Sequence, residues 1–267
     1  MTAFVFFAIA YTLAAGGLAA SAFHLGHPER ALKAFSQWRT SWLSREAWTS
    51  VATLVVMAVY GAGLVFFDTR IAALGIVGAL LCLASVVSTS MIYASLRSVP
   101  RWNDRSTAVL FLAYALAGGA LLSGEATVAI FLLLALAALQ AWTWRHGDGR
   151  FARSETTMET ATGLNGGTVR SFEPPHTGKN YLLTEMVYVV GRKHAHKLRT
   201  IAIVLVSFLP VILLLLPFSH VFAALAVLSH LAGALVARWL FFAEAEHVVG
   251  LYYGKRQGSS ISTQTIR

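Results

Sequence analysis

Apolar segments of membrane-spanning length alternate with polar loops along this chain. A transmembrane helix needs about 20 mostly apolar residues. Seven segments meet this requirement, at 3–25, 47–67, 71–96, 106–123, 125–144, 199–217 and 219–243. The links after the second, fourth and sixth segments are only a few residues long, so the helices that they join run antiparallel. The pattern predicts an all-α integral membrane protein, an up-down bundle of about seven transmembrane helices.

The composition supports this prediction. Hydrophobic residues make up 57% of the chain and charged residues only 12%, whereas soluble proteins carry about 25% charged residues. We therefore expect one polytopic membrane domain over residues 1–267, with membrane lipids around it. A net charge of +9 would suggest nucleic acid in a soluble protein. Here the basic residues concentrate on one side of the membrane, so we expect no nucleic-acid partner.

The distribution of basic residues predicts the orientation. Nineteen of the 21 Lys and Arg lie in the loops or tail after the first, third, fifth and seventh segments, counting Arg199, which borders the third of these loops at the start of the sixth segment. Of the other two, Arg70 lies in a loop on the opposite side and Arg238 lies inside the seventh segment. Short loops rich in Lys and Arg remain in the cytoplasm. This rule places the N-terminus outside and the C-terminus inside.

The longest cytoplasmic connection, at about 145–198, begins polar and rich in glycine. It is too short for a catalytic domain, and we expect it to dock a partner protein. Its second half, around 181–190, could form a short amphipathic helix on the membrane surface.

The chain has a single cysteine, Cys82, which lies in an apolar segment. One thiol cannot form an intrachain disulfide, and it cannot alone ligate an iron–sulfur cluster or a Cys-type zinc site. If the protein transfers electrons, we expect the metal centres to belong to partner subunits and none to this chain.

Two other membrane functions are alternatives. A haem-b cytochrome would need two histidines facing each other at one depth, but His220 and His230 lie ten residues apart on one predicted helix. A transporter would carry charges at the membrane midplane on broken, repeated helices. The sequence shows no such repeat, although Pro210 is a candidate kink in the sixth segment.

Two ionisable residues lie where the first and second segments meet the cytoplasmic face. His24 ends the first segment and Glu46 precedes the second, so antiparallel packing would bring both to a similar depth. Histidine exchanges protons near neutral pH, and a carboxylate can orient it or relay protons. A quinone needs both hydrogen bonds and protons at its polar head. We therefore expect His24 and Glu46 to exchange protons with quinone, although Glu46 could instead cap its helix.

Two further residues come near the same face. Tyr93 could place its hydroxyl in the same quinone pocket, or it could be an ordinary interfacial aromatic residue. Arg238 lies near the inner end of the seventh segment, where it could pair with Glu244 or Glu46, or extend to the interface. We expect a structural role for it, with a place in the quinone pocket as the alternative.

The run from His24 to Arg30 (His-Leu-Gly-His-Pro-Glu-Arg) and the run from Trp38 to Glu46 (Trp-Arg-Thr-Ser-Trp-Leu-Ser-Arg-Glu) resemble the signature of the dimethyl sulfoxide reductase membrane-anchor family. The 22-residue spacing from His24 to Glu46 is similar too. The segments 93–102 and 238–253 extend the resemblance along most of the chain.

The resemblance implies a multi-pass subunit without a metal of its own. It would anchor a four-cluster iron–sulfur subunit and a molybdopterin catalytic subunit, and exchange electrons with ubiquinone or menaquinone. The quinone-site residues of the family carry over to His24, Gly26, Arg30 and Glu46. Members of this family usually have eight helices, and the motif ends the second. Here it ends the first, so we expect that a helix either precedes Met1 in the natural protein or has been lost.

The predicted orientation narrows the function. Partner subunits that pass electrons to quinone near His24 and Glu46 would dock on the cytoplasmic face. A cytoplasmic partner, together with the loop segments 156–159 and 165–167, resembles the branch of the family that oxidises sulfite. We expect a subunit of the bacterial inner membrane that couples sulfite oxidation to quinone reduction. The alternative is an anchor that oxidises quinol for an S-oxide or N-oxide reductase.

Overall fold

The computed structural model describes residues 2–23, 26–164, 166–167, 169–170, 172–173 and 193–253. His24 and the predicted surface helix at 181–190 lie outside the described residues. Throughout the described part the regular structure is helical, with no strand.

Ten α-helices follow one another along the described residues. They are α1 (Thr2–Phe23), α2 (Trp42–Phe66), α3 (Ala72–Ala94), α4 (Arg105–Leu122), α5 (Ala126–Asp148), α6 (Arg150–Arg153), α7 (Met158–Thr162), α8 (Ala195–Ile203), α9 (Leu209–Leu215) and α10 (His220–Ala243). A π-helical turn, Val204–Phe208, joins α8 to α9, and 3-10 helices form at Pro28–Phe35 and Val248–Tyr253.

The prediction of seven membrane-length helices is confirmed. Among the described residues, seven helical stretches are long and apolar enough to cross a membrane, and α8, the π-turn and α9 together form the sixth. The predicted start of the second helix at residue 47 is wrong. The helix begins at Trp42, because the Ser41 hydroxyl accepts a hydrogen bond from the backbone N–H of Ser44 and so caps it. Ser41, and not Glu46, is therefore the N-cap.

The chain divides into two compact units, Met1–Ile92 and Tyr93–Arg267. In the first unit α1 packs on α2: the Tyr11 hydroxyl donates to the Leu54 carbonyl, and the Phe7 ring lies over Gly61. The side chain of Met57 on α2 lies directly against Gly78 on α3. Glycine permits both close approaches because it has no Cβ.

The second unit has its own apolar core. The innermost side chains come from α4, α5, the π-turn and α10. They include Ala117, Ala129, Leu133, Leu136, Val206 and Leu240, each almost fully buried. Small residues let the helix backbones approach closely, as is usual where helices pack inside membranes.

The irregular sixth span is held by α10. Pro210 has no N–H, so it cannot donate to the carbonyls of Leu205 and Val206 one turn earlier. Side chains of α10 donate to both instead: the Ser229 hydroxyl bonds to Leu205 O at 2.8 Å, and His230 Nδ1 bonds to Val206 O at 2.8 Å. Backbone polar groups within a membrane must find such partners inside the protein. Pro210 is the residue that the sequence marks as a candidate kink. The structure has a π-helical turn just before it, ending at Phe208.

Gly233 sits where α10 approaches this turn most closely. A Cβ added there would lie 2.4 Å from the backbone nitrogen of Val206, whereas a Cβ on Gly119 would meet nothing within 4 Å. We expect Gly233→Ala to lower the free energy of unfolding by about 1–3 kcal/mol, the usual effect of overpacking.

Titration of the purified protein with a denaturing detergent measures this effect. Gly119→Ala is the matched control, for which we expect no loss of stability, because alanine favours a helix over glycine. Equal stability of the two variants would contradict the close packing at Gly233.

Candidate functional site

Glu46 lies on α2, one turn inside the polar end of the first unit. Its Oε1 accepts a hydrogen bond of 2.5 Å from the Thr89 hydroxyl on α3. The side chain is half-buried, so this carboxylate is held in one place and still has acceptor capacity left. It can offer an oxygen to a ligand or exchange a proton with it.

Hydroxyl groups continue from Glu46 along the facing sides of α2 and α3. Ser50 and Thr53 on α2 each place their hydroxyl 3.5 Å from that of Ser85 on α3. Their spacing in sequence, at positions 46, 50 and 53 and again at 85 and 89, puts each set on one helix face. The sequence analysis did not predict this polar stripe, because α2 and α3 are mostly apolar and the hydroxyls meet only when the two helices pack.

The loop that precedes α2 is fixed against that helix. Trp48 Nε1 donates to the carbonyl of Phe35, and the guanidinium of Arg45 donates to the carbonyls of Trp38 and Arg39. The loop therefore has a defined path beside the first two turns of α2.

Gly26 and Arg30 begin that loop and are exposed. The Arg30 guanidinium lies 3.7 Å from the Glu29 carboxylate, which also contacts His27 at 3.0 Å. Because the Arg30 side chain is 61% exposed, most of its hydrogen-bond donors are open to solvent or to a ligand. His24 lies outside the described residues, so its predicted proximity to Glu46 stays a prediction.

Tyr93 belongs to the second unit, where it forms part of an aromatic cage around Arg238. The guanidinium carbon of Arg238 lies 4.6–4.8 Å from the ring centres of Tyr93, Phe111, Phe241 and Phe242. Such cation–π contacts stabilise a charge that burial would otherwise disfavour. The predicted place of Tyr93 in a pocket with His24 and Glu46 stays a prediction.

A cavity of about 580 Å³ opens beside this cage, entirely within the second unit. Its wall is mostly apolar and aromatic, with polar groups from Arg238, Gln140 and Arg101. The Tyr114 hydroxyl, also in the wall, donates to Gln140 Oε1 at 2.8 Å. Cavities of this size and character commonly bind small ligands.

Four charged residues form a closed network at the polar end of the cavity. Arg199 bonds to both Asp148 and Glu244, and Arg101 bonds to Asp148 at 2.7 Å and approaches Glu244 to 3.9 Å. The two positive and two negative charges cancel, so the network is neutral. Glu244 thus pairs with Arg199 and Arg101, so its predicted pairing with Arg238 is wrong among the described residues.

Asp104 fixes the start of α4 just outside the membrane span. Its carboxylate accepts from the N–H of Ser106 and lies 3.2 Å from Arg150. Burial alone would raise the pKa of Asp104, but the bonds from Ser106 and the charges of Arg150 and His146 hold that pKa below its usual value. The carboxylate therefore stays ionised and ties α4 to α5 and α6 at neutral pH.

The chain matches the DMSO reductase anchor subunit (DmsC) family over residues 2–254. The chain belongs to this family. It is also 32% identical over 272 residues to a subunit of the sulfite dehydrogenase of Allochromatium vinosum, a match that covers 92% of this chain and 84% of that protein. No solved structure matches.

Membership confirms the resemblance carried by the runs 24–30 and 38–46. The protein is a multi-pass membrane anchor of an oxidoreductase complex. In the part of this anchor that the structure describes, no group of three or more His, Cys, Asp or Glu is placed to hold a metal ion. His230, a candidate haem ligand in the sequence, instead uses Nδ1 to satisfy the Val206 carbonyl.

The charge network gives a test of how the polar end of the second unit is held. Arg199→Gln removes the ion pairs to Asp148 and Glu244, and the Glu244 side chain is only 6% exposed. Removing one partner of a buried ion pair costs about 3–5 kcal/mol. Because Arg101 remains near Glu244, we expect the variant to lower the free energy of unfolding by about 3 kcal/mol, the lower end of that range.

Lys197→Gln is the matched control, since Lys197 is exposed and lies on the same helix. Detergent titration should show Lys197→Gln within about 0.5 kcal/mol of the unmodified protein. A loss of the same size in both variants would show that general surface charge, and not the network, stabilises this end.

Proposed function

We propose that this anchor passes electrons from an iron–sulfur partner to the quinone pool, with sulfite as the electron donor of the complex. The observation that carries the quinone part is the carboxylate of Glu46, half-buried at the polar end of α2 and fixed by Thr89. Ionisable groups in membrane helices are costly, so they usually serve function.

The residues that we propose to act with Glu46 suit a quinone head group. Glu46 retains acceptor capacity for a quinol hydroxyl, and Arg30 on the neighbouring loop has exposed donors for a ring oxygen. Gly26 is exposed at the start of the same loop. We assign the proton exchange to His24 and Glu46, and quinone binding to His24, Gly26, Arg30, Glu46 and Tyr93.

Membership of the anchor family supports the partners in this proposal. The anchor would hold a four-cluster iron–sulfur subunit and a molybdopterin catalytic subunit at the cytoplasmic face of a bacterial inner membrane. The basic residues of that face, including the exposed Lys193 just before α8 and Lys197 in its first turn, would attract an acidic docking surface.

The 32% identity to the sulfite dehydrogenase subunit of Allochromatium vinosum, over nearly the whole chain, favours sulfite as the substrate of the complex. The family description equally names DMSO reductase. An anchor that oxidises quinol for an S-oxide or N-oxide reductase is therefore the second candidate.

The role of Glu46 can be tested in the intact complex. Glu46→Gln keeps a hydrogen-bond acceptor for Thr89 but cannot take up a proton, and His24→Ala removes the imidazole. We expect each variant to lower quinone-linked turnover by about a hundredfold, the scale of general acid–base catalysis. Turnover with a soluble artificial acceptor, which bypasses the membrane anchor, should persist.

Glu29→Gln is the matched control, because Glu29 is an exposed carboxylate on the preceding loop. We expect it to keep full quinone-linked turnover. If Glu46→Gln lost the activity with both acceptors, Glu46 would hold the complex together and the proton-exchange role would be wrong.

A further inference from the structure

The cavity of the second unit has an uncompensated cation in its wall. Arg238 is half-buried, and among the described residues no carboxylate pairs with it. The one carboxylate of the cavity wall, Glu244, is already bound by Arg199 and Arg101. The aromatic cage steadies the charge, and the guanidinium donates a hydrogen bond to the Tyr93 side chain, which leaves others of its five N–H donors for a ligand. The cavity therefore favours a ligand that presents a strong oxygen acceptor.

Other donors face the same space. The Nε of Arg101 is buried and has no hydrogen-bond partner among the described residues. Gln140 is almost fully buried; its oxygen accepts from Tyr114, and its amide nitrogen has only a long bond of 3.3 Å to Thr143. Buried donors without full partners are costly, and a ligand acceptor would satisfy them.

The remaining wall suits a flat ring with an apolar tail. Trp102, Phe111, Trp144 and Phe241 supply aromatic surface. Leu231 and Leu235 of α10 line the cavity and are also exposed, Leu235 to 73%. On a membrane-spanning helix an exposed leucine faces lipid, so a hydrocarbon tail could leave the cavity past these two residues.

We propose that this cavity is a second binding chamber for the ring of an isoprenoid quinone, with Arg238 donating to a ring oxygen. The inference rests on the proposed function, which supplies quinone as the substrate of the protein. It adds a chamber built wholly from elements of the second unit, namely α4, α5 and α10 and the loop before α4. A fatty acid shares the acceptor and the apolar tail but lacks the flat ring, so the test separates the two.

Photolabelling of the whole complex tests the proposal directly. The probe is a benzoquinone with a short isoprenoid tail and an azido group on the ring, followed by mapping of the labelled peptides. We expect label in peptides of α4 and α10 that line the cavity, and label near Glu46. Excess unlabelled quinone should remove both labels, and excess oleate should leave them.

The outcomes separate the second chamber from the proposed function. Label confined to the first unit would overturn the second chamber and leave the proposed function intact. No quinone-protected label in either unit would overturn both. Removal of the α4 and α10 label by oleate as readily as by quinone would identify the cavity as a lipid site instead.

Two variants give a readout that does not depend on turnover. Arg238→Gln should weaken binding of the unlabelled short-tail quinone, measured by protection from label, by about tenfold to a hundredfold, as expected for loss of a hydrogen bond from a charged group. Leu235→Trp should obstruct the mouth and reduce the α10 label at least as strongly.

Each variant has a matched control on the same element or face. Leu228→Trp changes another lipid-exposed leucine of α10 that lies outside the cavity, and Arg145→Gln removes an exposed arginine at the same end of the unit. We expect the peptides of α4 and α10 to take up as much label in both control variants as in the unmodified protein. Equal loss in Leu228→Trp and Leu235→Trp would overturn the assignment of the mouth.

Discussion

Pro210 cannot donate a backbone hydrogen bond, and inside a membrane the missing donor has to be supplied by the protein. Ser229 and His230 of α10 supply it to the two carbonyls of the preceding π-turn. The contact draws α10 so close that Gly233 has no room for a Cβ. The position of α10 in the second unit therefore depends on its hydrogen bonds to the carbonyls of the π-turn. That position in turn places Arg238 and Glu244 at the polar end of the cavity.

That polar end shows how the protein keeps charge at the membrane boundary. The carboxylate of Glu244 is neutralised by two arginines, whereas Arg238 is stabilised by aromatic rings and by a hydrogen bond to the Tyr93 side chain. In the first unit Glu46 is held by the Thr89 hydroxyl and remains half-buried. The neutralised network is suited to holding structure. Glu46 and Arg238, which keep unused hydrogen-bonding capacity, are suited to contact with a ligand.

Much of the fold follows from the sequence, because a bilayer admits few solutions. Seven apolar stretches of sufficient length predict seven spans, and the structure has them. The hydropathy pattern predicts too late a start for α2, because Ser41 is polar and Trp42 is typical of the membrane interface. The Ser41 cap is a local signal that could have indicated the true start of the helix. The partners of His230, Arg238 and Glu244 could not be predicted, because they depend on contacts between distant segments. The charge of Glu46 makes it a candidate in the sequence, but the hydroxyl stripe beside it emerges only when α2 and α3 pack.

We propose that this anchor links sulfite oxidation to the quinone pool. The most direct measurement is the reduction of a short-tail quinone by the purified membrane complex with sulfite as the only donor, compared with the same preparation lacking the anchor. We expect quinone reduction that requires the anchor, and sulfite oxidation by a soluble acceptor in both. Quinol oxidation driven by an S-oxide or N-oxide, with no sulfite-dependent quinone reduction, would contradict the claim and assign the anchor to a reductase.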